Sequence, residues 1–145
     1  MNLKHSYSFG EELLNSVSHG LGLLLSVAGL TLMVVTANNS NNSNEMASAI
    51  VFGSSLIMLY LSSTLYHAVV NVNAKNYLKL LDHCAIYILI AGTYTPFLLL
   101  SLADDWGYPM FAIVWTLALL GVSFKLLFRH KYPKLSLATY LIMGW

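Results

Sequence analysis

The sequence predicts an all-α integral-membrane protein: a polytopic helical bundle with four complete spans and the start of a fifth. Three observations predict it. Of 145 residues, 57% are hydrophobic and only 9% are charged, against about 25% charged in ordinary soluble domains. Four separate stretches stay apolar for the ~20 residues that a helix needs to cross a bilayer. The basic residues fall in alternate connections, the pattern that fixes topology in helical membrane proteins. Residues 1–145 read as a single transmembrane domain.

The first span is read at 17–37. A secretory signal peptide is the alternative, because Lys4 precedes this run and Val35, Thr36 and Ala37 offer small residues for cleavage. Glu11 and Glu12 stand where a basic region belongs, and the run exceeds the ~7–15 residues of a signal core, so it reads as a retained span. The second span, 46–70, carries no formal charge, and the third, 80–103, carries only Asp82. Pro96 lies inside that third span, removes the bond to the Gly92 carbonyl and is expected to kink it. The fourth span is read at 106–124. A fifth begins near Leu135, after Pro133, and reaches Trp145 before it has the length to cross. The sequence therefore reads as the N-terminal part of a longer protein.

The connections set the orientation. Residues 38–45 read NNSNNSNE, a polar stretch taken as a solvated loop. Its Asn-x-Ser triplets at Asn38 and Asn41 matter only in a glycosylating pathway. A second loop carries Lys75 and Lys79, a third carries Asp104 and Asp105, and a fourth carries Lys125, Arg129, Lys131 and Lys134. Loops two and four lie on the side of Lys4, which puts the N-terminus in the cytoplasm. Trp106 and Tyr108 fall where an outer aromatic belt sits. The net charge of +1 comes without any basic patch interleaved with aromatics, so nucleic acid is not a partner and membrane lipids are. Cys84 is the one cysteine. It excludes an internal disulfide and a cysteine-based zinc finger, and reads as a small packing residue.

This topology brings a set of polar residues to one layer near the inner leaflet. The first span starts there, the second ends there and the third starts there. Glu12, Asn15 and His19, then Ser63 and His67, then Asp82 and His83 all belong to that layer. Polar groups at such depth are costly and mark functional sites. Ser63 and His67 are four residues apart and share a helix face with Tyr60. Glu12 and His19 are seven apart, with Asn15 on the same side. A neutral imidazole binds a metal through one nitrogen, and a carboxylate such as Asp82 orients a water or accepts its proton.

Blander readings account for the same residues. Lys79, three positions from Asp82, makes an interfacial ion pair an equal explanation. His67 stands near the membrane edge and snorkels in one reading. His19 caps or bonds a neighbouring carbonyl in another. His5, His83 and His130 read as interfacial or solvated, and the basic residues of loop four as topology signals alone.

Three motifs add to this. E-x-x-N-x-x-S-H-G at 12–20, S-x-x-x-H at 63–67 and L-D-H-x-x-I-x-x-x-I-x-G-x-Y-T-P at 81–96 resemble the haemolysin-III family, the bacterial branch of the progesterone and adipoQ receptor superfamily. Y-L-I-M-G-W at 140–145 resembles that family's fifth-span motif. The resemblance implies a seven-span bundle in a bacterial inner membrane with a cytoplasmic N-terminus. It implies a zinc ion held by one histidine of the second span, here His67, and by two histidines of an H-x-x-x-H on the seventh. Ser63 and Asp82 match the positions beside the zinc-bound water. The implied activity is zinc-dependent hydrolysis of a lipid amide or ester. A pore-forming or membrane-perturbing role and a receptor-like role in membrane homeostasis are the alternatives. The H-x-x-x-H is missing from these 145 residues, and a catalytic zinc takes three protein ligands, so the site is expected to be incomplete in this chain.

Overall fold

The computed structural model describes residues 8–102, 106–129 and 131–144. Lys4, His5, Asp104, Asp105, His130 and Trp145 lie outside them, and so do the expectations placed on those residues. Among the described residues there are helices and no strands. The helices are α1 (Phe9–Ser40), α2 (Ser43–Ala68), α3 (Val72–Pro96), α4 (Gly107–Phe128) and α5 (Pro133–Gly144), with a π-helical segment (Phe97–Ser101) continuing α3. Four stretches have the length and apolar character of membrane spans: α1, α2, α3 with its continuation, and α4.

Each start has a local cause. Ser8 caps α1 in a capping box: its hydroxyl accepts from the Glu11 amide at 3.3 Å, and Glu11 accepts from the Ser8 amide at 2.7 Å. Asn42 caps α2 through the Asn44 amide, and Asn71 caps α3 through the amides of Asn73 and Ala74.

Two expected loops are largely helical. The stretch 38–45 narrows to a two-residue corner, in which Asn41 takes a left-handed conformation (φ 52°) to end α1 and Asn42 opens α2. Asparagine suits both positions, so a run of asparagines need not be a long loop. Lys75 and Lys79, expected in a loop, sit in the first turns of α3. Hydropathy marks where hydrocarbon ends, and a helix continues into water beyond that point. The same holds for α4, which runs past the expected end at 124 to Phe128.

The expected kink at Pro96 takes the form of a change of helical register. Pro96 has no N–H to donate, and the chain passes into the wider turn that follows, where the Leu102 amide bonds the Phe97 carbonyl at 3.3 Å. Asn44 supports the segment from outside: its amide donates to the Leu99 carbonyl at 3.3 Å and to the Tyr108 hydroxyl at 3.1 Å.

Consecutive helices pack as neighbours, and α3 touches α2, α4 and α5. Its Tyr87 and Ala91 are fully buried together with Ala118 of α4. Small residues set the close approaches expected between membrane helices. Gly22 of α1 receives the ring of Tyr60 of α2, Gly53 receives Leu30, and Gly121 of α4 receives the ring of Tyr87. The other faces expose residues such as Leu24, Leu32 and Leu119, as lipid contact requires. Gly121→Ala is expected to destabilise the protein by about 1–3 kcal/mol through overpacking. Gly29→Ala, at a site with nothing within 4 Å, is expected to be neutral or slightly stabilising, since alanine is the better helix former. Thermal unfolding of both variants in one detergent checks the difference.

Candidate active site at the basic end of the bundle

The end where α1 begins, α2 ends and α3 begins also carries Lys75, Lys79 and Lys125 and is the basic end of the bundle. Three helices contribute to one polar cluster there. Glu12 is in the first turn of α1, His19 two turns on, Ser63 and His67 in the last turns of α2, and Asp82 in the third turn of α3.

Glu12 is the junction. Its Oε2 lies 2.7 Å from His67 Nδ1 and its Oε1 lies 2.8 Å from Lys75 Nζ. An ionised carboxylate only accepts hydrogen bonds, so Nδ1 of His67 is the donor in this contact. The His67 side chain is 8% exposed, which sets aside the snorkelling alternative. Tyr66 packs on His67 with ring centres 4.6 Å apart, and Lys75 lies over the Tyr66 ring at 5.1 Å. Lys75 also reaches the Val69 carbonyl at 3.4 Å, closing the C-terminus of α2.

His19 lies beside this pair. Its ring is nearly parallel to that of His67, with centres 6.0 Å apart and an interplanar angle of 12°, and Tyr60 is 5.8 Å away. Its Nδ1 is buried and has no hydrogen-bond partner among the described residues, so the capping role considered for it is not seen at that nitrogen. Asp82 lies within electrostatic reach of the Ser63 hydroxyl, His67 and His19. Lys79 acts on Asp82 more weakly, and no Lys79–Asp82 ion pair forms among the described residues. The ion pair of this layer is Glu12–Lys75. Asn15 is half-buried on the same helix; its side chain makes no hydrogen bond among the described residues, and its carbonyl accepts from Ser18 at 3.1 Å.

Sequence reasoning missed two lysines. Lys75 had no signal, because its partner is on another helix. Lys125 had one: three apolar residues, Leu126, Leu127 and Phe128, follow it before the next charge. It is buried at 3% exposure and donates to Ser136 Oγ at 2.9 Å. It is a buried polar contact between α4 and α5 rather than a loop charge.

Residues 7–145 match the family model of haemolysin-III related proteins. The chain belongs to the haemolysin-III family. It is 44% identical over 139 residues to the hemolysin-3 homolog of Bacillus subtilis (strain 168), covering 96% of this chain and 65% of that protein. It is 42% identical over 135 residues to hemolysin-3 of Bacillus cereus, covering 93% of this chain and 62% of that protein. The human monocyte to macrophage differentiation factor is 28% identical over 142 residues, covering 93% of this chain and 58% of that protein. The chain thus spans 58–65% of the length of these relatives. No solved structure matches it.

The donor chemistry tests whether this haemolysin-III chain fits a metal. A histidine ligand commonly donates its second ring nitrogen to a carboxylate, which fixes its tautomer and orientation. His67 with Glu12 has that arrangement, and the unpartnered Nδ1 of His19 is a buried donor beside it. No group of three His, Cys, Asp or Glu side chains among the described residues could hold a metal ion. The cluster fits one oriented ligand and not a closed coordination sphere.

Proposed function

We propose that this haemolysin-III protein is a zinc-dependent hydrolase of a lipid amide or ester, with its N-terminus and its site on the cytoplasmic side. The Glu12–His67 contact carries the reading: a carboxylate holds an imidazole in the same layer as Ser63 and Asp82. His67 would hold the metal, with the rest of the coordination sphere outside the described residues. Bound zinc supplies a positive centre that polarises a carbonyl and acidifies water. The chain's own residues do the rest. Asp82 accepts a proton from the attacking water and returns it to the leaving group. Ser63 holds Asp82 through its hydroxyl and fixes where that carboxylate points. Glu12 keeps His67 in one tautomer, and Lys75 keeps Glu12 ionised and in place. Lipid reaches this layer from the apolar surroundings without crossing open water.

Zinc content tests it. Protein purified from its host membrane, at the length its host makes, is expected to carry about one zinc per chain. His67→Ala is expected to carry none while staying folded. Elemental analysis that finds no zinc in either would end the hydrolase reading.

The names of the Bacillus relatives favour a second reading, a membrane-perturbing haemolysin. Under it, purified protein releases dye from liposomes, and His67→Ala releases dye equally well. Under the hydrolase reading the liposomes stay sealed.

A further inference from the structure

Among the described residues, one buried ammonium outside the Glu12–His67–Asp82 cluster has no counter-charge. Lys125, in the last turn of α4, is 3% exposed. Its one hydrogen-bond partner among the described residues is the neutral hydroxyl of Ser136, which itself donates to the Tyr132 carbonyl at 3.2 Å. No ion pair to Lys125 forms among the described residues. The other groups that act on it are Cys84, a buried thiol, and a second ammonium, Lys79. Burying a charge costs several kcal/mol unless an opposite charge is close, and this site gathers positive charge. Among the described residues no anion faces the ammonium.

An apolar groove lies one helical turn deeper on the same faces. It has a volume of about 260 Å³ and is lined by Tyr87, Gly121, Phe124, Thr139 and Met143, among others. Gly121 is four residues before Lys125 on α4, Thr139 is three after Ser136 on α5, and Tyr87 is three after Cys84 on α3. Residues at these spacings stack on one face of a helix. Leu120 and Ile142 form the rim and are 61% and 75% exposed, so the groove opens sideways to the surroundings of the bundle. Its size is below the ~300 Å³ at which ordinary ligand pockets begin, which suits part of one flexible chain. The seam between α4 and α5 is shorter than that between α1 and α2, α2 and α3, or α3 and α4.

We propose that Lys125 and the α3–α4–α5 groove bind one anionic phospholipid, with its phosphodiester at the Lys125 ammonium and an acyl chain against Tyr87 and Phe124. A phosphodiester supplies the missing negative charge, and the attached chain fills the apolar space one turn away. Basic pockets between membrane helices hold acidic headgroups by the same logic. The proposal is independent of the hydrolase reading, since it uses none of Glu12, Ser63, His67 or Asp82.

The experiment compares the whole protein in nanodiscs of phosphatidylcholine alone and with phosphatidylglycerol added, reading thermal unfolding and retained lipid by native mass spectrometry. Wild type is expected to unfold at higher temperature with phosphatidylglycerol and to retain about one molecule of it. Lys125→Met, which keeps the volume and removes the charge, is expected to lose the preference by about tenfold or more, the scale of a charge-assisted hydrogen bond. Leu120→Trp, which fills the groove mouth and leaves Lys125 in place, is expected to weaken retention as well. Lys131→Gln with Lys134→Gln is expected to keep the preference, since those side chains are solvated. Equal behaviour of wild type in the two lipids would overturn the proposal. So would a preference that survives Lys125→Met, or one that glycerol phosphate reproduces without any chain.

Discussion

Asp82→Asn is expected to lower hydrolytic turnover by about 10²–10⁴-fold, the usual contribution of a positioned acid–base group. Asparagine has nearly the volume of aspartate and keeps a carbonyl oxygen that can accept from a nearby hydroxyl. It cannot take up a proton. The substitution therefore separates the chemistry of the carboxylate from its place in the packing. Ser63→Ala should cost less, because it frees Asp82 to reorient without removing it. Both variants should unfold within a few degrees of wild type, since Asp82 is only half-buried and makes no ion pair among the described residues. Turnover of a panel of lipid amides and esters, read beside thermal unfolding, checks this. Wild-type turnover in a folded Asp82→Asn protein would remove Asp82 from the proton-transfer role.

Much of this was legible in the sequence, for reasons that differ by residue. The spans are legible because a bilayer demands long apolar runs and leaves nothing else to read. Their ends at Ser40, Val72 and Phe128 are not, because a helix stops where capping and packing stop it. Glu12, His19, Ser63, His67 and Asp82 are legible as misplaced polar groups, and alternating topology brings them to one layer. Their pairing is not legible. Which carboxylate meets His67 depends on how α1 and α2 slide past each other, and that is fixed by Tyr60 against Gly22 and Leu30 against Gly53. A reading by spacing ties Asp82 to Lys79 within one helix. The tertiary packing instead pairs Glu12 with Lys75, from helices α1 and α3. Lys125 is not legible as a buried group, because a basic residue at a span end already satisfies the rule that positive charge marks the cytoplasmic side.

Glu12→Gln carries the other large expected effect. Each carboxylate oxygen of Glu12 holds a different partner, His67 at 2.7 Å and Lys75 at 2.8 Å. Glutamine keeps the length but offers one acceptor and a donor. It serves both partners only if His67 turns to its other tautomer and accepts the glutamine N–H at Nδ1. The Lys75 ammonium loses its charge partner, while His67 loses the group that fixes its tautomer. The expected loss of stability is about 1–3 kcal/mol, the scale of hydrogen bonds to charged groups, held below that of a fully buried pair because the Lys75 side chain is 26% exposed. On the zinc reading, the expected loss of zinc affinity is about 10–100-fold, the effect of removing a carboxylate partner from a metal-bound histidine. Lys75→Met distinguishes the two effects. It removes the ion pair and leaves the Glu12–His67 contact, so it should lower stability and change zinc affinity by much less. If Glu12 acts on His67 by orientation, Glu12→Gln and Lys75→Met will differ in zinc affinity far more than in unfolding temperature. If Glu12 serves only as a counter-charge, the two variants will match in both measurements, and the orienting role fails.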